Sequence, residues 1–145
     1  MRPLPSPLPD LALLLTRIVI GIVLLAHGIQ KLGNGVGGVS SMFAELGIPA
    51  PTLAALFAMF VEVVGGAALL LGVLTPVAGI LVFLNFVGAY LTAHFGVTVF
   101  VDDNGWELVG TIAVIGAVLA AVGPGKFSVD ALLGGRHKRA VTTVS

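Results

Sequence analysis

The apolar stretch near the start of the chain, residues 11–32, constrains the fold most. It reads LALLLTRIVIGIVLLAHGIQKL, and its length and apolarity are typical of a helix that crosses a membrane. The same stretch carries Arg17 in its interior and His27 and Lys31 near its end. An ionisable side chain at the centre of a bilayer costs about 3 kcal/mol on insertion scales. The sequence therefore predicts that these groups have buried partners or a function.

The composition agrees with a membrane protein. Of the 145 residues, 57% are hydrophobic and only 10% are charged, whereas soluble domains carry about 25% charged residues. Seven basic side chains balance seven acidic ones, so there is no excess positive charge that would favour a nucleic acid as partner. The absence of cysteine excludes disulfides, thiol redox chemistry and thiolate metal sites within the chain.

Four apolar segments predict an all-α fold, a polytopic integral membrane four-helix bundle that forms one domain over residues 11–130. The predicted spans are residues 11–32, 52–74, 76–99 and 106–123. The last is short for a full crossing. The proline-rich residues 1–10 are predicted to be a disordered tail, and residues 131–145 a basic tail.

Basic residues predict the orientation of this bundle. Outside the spans they lie before the first span, at Arg2, and after the fourth, at Lys126, Arg136, Lys138 and Arg139. Because cytoplasmic segments of membrane proteins are enriched in Lys and Arg, we expect a multi-pass plasma-membrane protein with both termini in the cytoplasm.

Arg17 and Glu62 are predicted to form an ion pair inside the bundle. With a rise of 1.5 Å per residue, Arg17 lies about 9 Å from one edge of its span and Glu62 about 14 Å from the opposite edge of the second span. A long arginine side chain would close most of the remaining gap. The pair would then serve either as structural glue or as part of a working site.

A second group of polar side chains predicts a ligand pocket in the outer half of the bundle. His27 and Lys31 share a helix face, and His94 and Glu107 are expected at the same level. Asn85 begins a small polar stripe on the third span. Each has an alternative structural role: His27 as a helix-end cap, Lys31 as a headgroup contact, and Asn85 as a link between helices.

Other chemistries are less well supported by spacing. No helix carries a paired histidine or histidine–carboxylate spacing for a metal, and no haem, flavin or iron–sulfur motif occurs. The loop sequence DDNGWE lacks the spacing of a calcium-binding loop and indicates a polar turn.

Three motifs, in a fixed order, resemble those of the DoxX family. They are His27-Gly28-x-x-Lys31-Leu32, Glu62-x-x-Gly65-Gly66 and Gly123-Pro124-Gly125-x-x-Ser128-x-Asp130. Supporting matches are Arg17-x3-Gly21, the Leu-Gly-Ile-Pro loop at residues 46–49, and Leu71-Gly72. The resemblance covers nearly the whole chain except its two ends. The loop at residues 102–106 departs from the looser glycine-rich turn usual in the family.

The resemblance implies a four-helix bacterial inner-membrane protein of a group named after subunits of quinone-linked oxidoreductases and implicated in redox or thiol stress. It also implies that Arg17, His27, Lys31, Glu62 and Glu107 are family-typical positions. A quinone would be the cofactor, and other membrane proteins, including redox enzymes, would be the partners, alongside membrane lipids and a second copy of the chain.

Two functional hypotheses follow. In the first, the protein is a membrane subunit that binds a quinone or similar amphiphile, with His27 and Lys31 as donors and Glu62 as a proton relay. Any oxidoreductase activity would then need a partner subunit, because no residue motif here carries electrons. In the second, the protein is a non-catalytic scaffold that holds other proteins at the membrane. Its contact surfaces would be the glycine-rich loop after the first span, an amphipathic patch at residues 42–46 that is expected to form a short interfacial helix, and the basic tail.

Overall fold

A computed structural model describes residues 7–133, and this part of the chain is mostly helical and has no strands. Helix α1 spans Leu8–Glu45, α2 spans Pro51–Leu71, α3 spans Thr75–His94 and α4 spans Glu107–Val122. Within residues 7–133 three helices, α1 to α3, are long and apolar enough to cross a membrane. Helix α4 is apolar but has only 16 residues. The prediction of an all-α membrane protein is confirmed.

Helix α1 differs most from its predicted bounds. It begins at Leu8, within the segment predicted to be a disordered tail, because a proline fits the first turn and Asp10 favours the helix N-terminus. The rest of that predicted tail, residues 1–6, lies outside the described residues. So do residues 134–145, most of the predicted basic tail.

The segment after the first span was predicted to be a glycine-rich loop with a short interfacial helix at residues 42–46, but it is helical from the first span as far as Glu45. At Gly35 the backbone turns to φ 69° and ψ 162°, which breaks the helix direction. Beyond this break, Val39 is buried against Ala55 and Met59 of α2, with Phe43 packed on them. The burial of these side chains outweighs the low helix propensity of the glycines.

The remaining helices end where the backbone leaves helical geometry. Helix α2 stops at Leu71, because Gly72 and Leu74 adopt left-handed conformations in a tight turn. Helix α3 stops at His94, five residues before its predicted end, since Phe95 is extended. Both α2 and α3 contain a π-helical turn, Val61–Gly65 and Tyr90–His94.

The core lies where α1 packs on α2 and α3 packs on α4. The π turn of α2 touches both α1 and α3 and so joins the two pairs. Glycines allow the helices to approach closely: a Cβ atom at Gly66 would lie 2.9 Å from Leu24 Cβ, and one at Gly79 would lie 2.7 Å from the backbone oxygen of Gly116. Ile20, Leu24, Val61, Leu69, Val82 and Leu119 fill the interior between these crossings.

Candidate functional site

The central polar feature of the bundle is an ion pair between Lys31 of α1 and Glu62 in the π turn of α2. The Lys31 ammonium donates hydrogen bonds to both carboxylate oxygens, with Nζ–Oε1 2.5 Å and Nζ–Oε2 2.6 Å. Gly28 permits this contact, because a Cβ atom there would lie 2.6 Å from a methyl group of Val63 and 3.1 Å from Glu62 Cβ. The π turn contains one extra residue, and Gly28 has no side chain to keep the two helices apart. Together they bring the Glu62 carboxylate into contact with Lys31.

The two members of the pair differ in accessibility. The side chain of Glu62 is 4% exposed, whereas that of Lys31 is 19% exposed. An ammonium group has three N–H donors, and two of them bond to Glu62. The third donor of Lys31 has no partner among the described residues, and the side chain that carries it is partly exposed.

The predicted ion pair between Arg17 and Glu62 is wrong. Arg17, only 1% exposed, donates from Nη1 to the backbone oxygen of Pro124 and from Nη2 to that of Phe127, both at 2.6 Å. Arg17 and Lys31 are 14 residues apart, which is about 21 Å along a helix. Since Glu62 bonds to Lys31, it is beyond the reach of Arg17. The prediction overlooked that the segment after α4 folds back into the bundle.

That returning segment, residues 123–130, is called the C-terminal clasp here. The Asp130 carboxylate accepts hydrogen bonds from the backbone N–H groups of Leu74 and Thr75, at 2.9 and 3.0 Å, and so caps the first turn of α3. The Asp130 N–H donates to the backbone oxygen of Gly72. A side chain at Gly72 would overlap the Arg17 guanidinium, and the left-handed backbone there, φ 70°, also favours glycine.

The clasp is closed by two further contacts. Ser128 Oγ donates to the backbone oxygen of Gly125 at 2.7 Å and accepts from the N–H of Ala131 at 3.1 Å. The Asp10 carboxylate accepts from the Lys126 N–H at 2.9 Å and lies 3.4 Å from Lys126 Nζ. The first helix and the clasp therefore meet at the same end of the bundle.

The other predicted site residues have separate partners. His27 Nδ1 lies 2.9 Å from the backbone oxygen of Val23, one turn back in its own helix. His94 Nδ1 lies 2.8 Å from the backbone oxygen of Asn104, and Glu107 accepts from the N–H of Val101 at 2.8 Å. Asn85 is half-buried on α3. The structure thus brings Lys31 and Glu62 together, whereas His94 at the end of α3 and Glu107 at the start of α4 each bind the backbone of the loop between these helices.

A cavity of about 250 Å³ lies between α3 and α4. Its lining is Phe83, Val87, Tyr90, Trp106, Gly110, Ala113 and Val114. None of the side chains predicted from the sequence to bind a ligand belongs to this lining. Among the described residues there is also no cluster of three or more His, Asp or Glu side chains that could hold a metal ion.

Sequence reasoning identified the clasp motif but missed its role. The available signal was at the start of α3, where Leu74-Thr75-Pro76 supplies no side-chain cap of its own. A buried helix start without a local cap needs an acceptor from elsewhere in the chain, and the conspicuous Ser128-x-Asp130 pair was the candidate.

Fold and site together define an all-helical membrane protein with an ion pair buried between two of its helices. The DoxX family profile matches residues 12–95, which is more than half of the chain, and the chain belongs to this family.

Three curated proteins are similar to this chain. The chain is 30% identical over 83 residues to "Putative oxidoreductase CatD" of Bacillus subtilis, covering 57% of this chain and 60% of that protein. It is 29% identical to "Inner membrane protein YphA" of Escherichia coli over 133 residues, covering 81% and 87%. It is 40% identical to "Uncharacterized membrane protein Rv3486" of Mycobacterium tuberculosis over 79 residues, covering 50% and 45%. The matched region thus spans less than two thirds of CatD and of Rv3486. No solved structure matches the chain significantly.

The cap supplied by Asp130 predicts a specific loss of stability. Asp130→Ala removes the acceptor for two N–H groups of α3, and we expect it to lower the free energy of unfolding by about 0.5–2 kcal/mol, as for other lost caps. Thermal melting in mild detergent measures this. The matched control is Asp102→Ala, at an exposed loop position; equal melting temperatures for the two variants would contradict the clasp.

The ion pair predicts strong coupling between its two members. Lys31→Met leaves Glu62 buried without a cation and should cost up to about 3–5 kcal/mol, whereas replacing both residues by Met should be nearly neutral. Reversible unfolding in mixed detergent micelles gives the free energies for both single variants and the double variant. If the effects of Lys31→Met and Glu62→Met simply add, the two side chains are not coupled.

Proposed function

We propose that this protein is a membrane subunit of a redox-associated complex and that it binds a quinone or a similar carbonyl-bearing amphiphile at the Lys31–Glu62 pair. The observation that carries the proposal is the pair itself: a buried carboxylate bonded to an ammonium that stays 19% exposed beside apolar helix surfaces. Polar pairs inside membrane spans are costly and often functional. The oxidoreductase named among the relatives, CatD, supports the same direction.

The residues fit a quinone headgroup. A headgroup carbonyl is an acceptor and needs a donor, which the third N–H of Lys31 supplies. The helix surface near Lys31 is apolar in part, since Ile29 and Leu32, which flank Lys31 in the sequence of α1, are exposed. An isoprenoid tail would lie on such a surface without losing contact with the membrane. When bound, a quinone supplies a two-electron, two-proton redox couple.

The pair has the right chemistry to move a proton. With a quinone bound, Lys31 would give one proton to a headgroup oxygen. This would leave the pair with one net negative charge, and the pair would regain a proton from the aqueous side. His27 lies one turn earlier on the same helix face. Because a backbone oxygen only accepts, His27 Nδ1 donates the hydrogen in its bond to Val23. Electrons come from a partner protein with its own redox group, since the chain has no cysteine couple.

Purified protein in mild detergent provides the test of ligand binding. We expect a co-purifying quinone, seen by absorbance and mass, in the unaltered protein. The Lys31→Met/Glu62→Met variant should lose it while keeping a similar melting temperature. Loss of a bond from a charged donor is worth about 1.5–3 kcal/mol, which is about ten-fold or more in affinity.

The matched control is Gln30→Met, which adds the same side chain at the adjacent exposed position. It should retain the quinone. If the double variant keeps its quinone, the pair is not the binding site. If the unaltered protein is empty and instead retains other proteins, the scaffold hypothesis is favoured.

We also propose that both ends of the chain face the cytoplasm of a bacterial inner membrane. The contacts of Asp10 with Lys126 and of Arg17 with Phe127 support placing the two ends on one side, and the basic residues of the tails support the cytoplasmic side. Reporter fusions before Met1 and after Ser145 should both be cytoplasmic. A periplasmic signal at either end would contradict this topology.

A further inference from the structure

The loop that joins α3 and α4, residues 95–106, has an unusually apolar exposed surface. Phe95 is 70% exposed and Phe100 is 65% exposed, and Val99 and Val101 are also exposed. In water such a group of exposed apolar side chains would favour aggregation, and loops in water are normally polar. The loop lies at the end of the bundle opposite to the C-terminal clasp, since α3 begins at the clasp and ends at the loop.

The length of α4 explains why this loop needs apolar side chains. Helix α3 has 20 residues, about 30 Å, whereas α4 has 16, about 24 Å, at a rise of 1.5 Å per residue. The two helices are antiparallel: α3 begins at the clasp and α4 ends there. The hydrocarbon core of a bilayer is about 30 Å thick. The start of α4 is therefore about 6 Å short of the boundary that α3 reaches, and the loop covers this gap.

In the second half of the loop, most backbone N–H groups have partners within the protein and so do not depend on water. The N–H groups of residues 101 and 103–107 are all bonded within the loop and its flanking helix ends, for example Gly105 to the backbone oxygen of Phe100 at 2.8 Å and Trp106 to that of Thr98 at 3.2 Å. Gly105 makes the fold so tight that a side chain there would overlap the backbone of Val99. Irregular backbone enters the apolar part of a membrane only when its polar groups are satisfied in this way.

Polar and aromatic residues set how deep the loop can lie. Asp102 and Asp103 are exposed at its 3₁₀ turn, Val101–Asp103, and two carboxylates need water. Trp106 packs edge to face on Tyr90, with ring centroids 6.3 Å apart, and these two residue types are enriched where lipid meets water. Aspartates toward water and phenylalanines toward lipid describe an element at the membrane boundary.

We propose that residues 95–106 form a lipid-contacting element that lies in the headgroup–acyl boundary of the leaflet opposite to the chain ends, with Phe95 and Phe100 inserted among acyl chains and Asp102 in water. Its partner is the bilayer itself. The acidic turn disfavours anionic headgroups, so zwitterionic phospholipid is the lipid that the element fits. The proposal does not depend on whether the Lys31–Glu62 pair binds a quinone.

The unaltered chain allows a direct measurement of depth, because Trp106 is its only tryptophan. The protein is reconstituted in phosphatidylcholine vesicles that contain lipids with a nitroxide either near the headgroup or near the acyl-chain end. We expect the shallow nitroxide to quench Trp106 emission several-fold more than the deep one, and iodide in the buffer to quench it weakly. Strong quenching by iodide with none by either nitroxide would overturn the proposal.

Single cysteines, in a chain that has none of its own, resolve the two sides of the loop. A polarity-sensitive fluorescent label is attached at Phe100→Cys, Asp102→Cys or, as an aqueous control at the other end of the bundle, Lys126→Cys. With iodide on both sides of the membrane, the label at position 100 should be quenched several-fold less than those at 102 and 126, at high and low protein-to-lipid ratios alike. Equal quenching at 100 and 102 would overturn the proposal. So would protection at 100 that disappears on dilution with lipid, because a second copy of the chain would then cover the loop.

Discussion

A charge inside a bilayer has no water to solvate it, so its partners must come from the protein. Within residues 7–133 the fully buried charged side chains are Arg17 and Glu62. Glu62 is neutralised by a cation, Lys31. Arg17 instead donates to two backbone oxygens just beyond the end of α4, where the helix dipole concentrates negative potential. Glu62 is thus part of a neutral pair, while Arg17 keeps its positive charge and binds the backbone of the C-terminal clasp.

The sequence was sufficient to predict the all-α membrane class and the residues that carry polar chemistry, because both follow from hydropathy and from the cost of charge in lipid. The partners could not be predicted in the same way. Depth estimates treat each helix as an isolated rod, and they made Arg17 appear the natural cation for Glu62. The actual choice depends on Gly28, on the π turn around Glu62 and on a clasp that returns from more than 100 residues away. None of these has a signal in a single window of sequence.

The prediction of a shared outer pocket shows the same limit. His94 and Glu107 flank the same loop, but their polar atoms bind the loop backbone. The backbone N–H and C=O groups of an irregular loop near a membrane need hydrogen-bond partners, and a list of polar side chains in the sequence does not show which of them serve this purpose. Arg17 Nε and Thr75 Oγ1 also lack a hydrogen-bond partner among the described residues, but both are fully buried. The pair of Lys31 and Glu62 differs because its ammonium is partly exposed, so that a ligand can reach it.

The clasp also has a consequence for how the protein is made. Arg17 precedes its two acceptors by 107 and 110 residues, and a ribosome adds about 5–20 residues per second. For several seconds of synthesis the first helix therefore holds an arginine whose final acceptors do not yet exist. The start of α3 precedes its cap, Asp130, by 55 residues, which is about half of that period. Insertion of the helices and completion of the bundle are thus separate events in the biogenesis of this chain. A chain truncated before residue 124 would leave a bare guanidinium inside the membrane, a feature by which the cell's quality control could tell an unfinished product from a finished one.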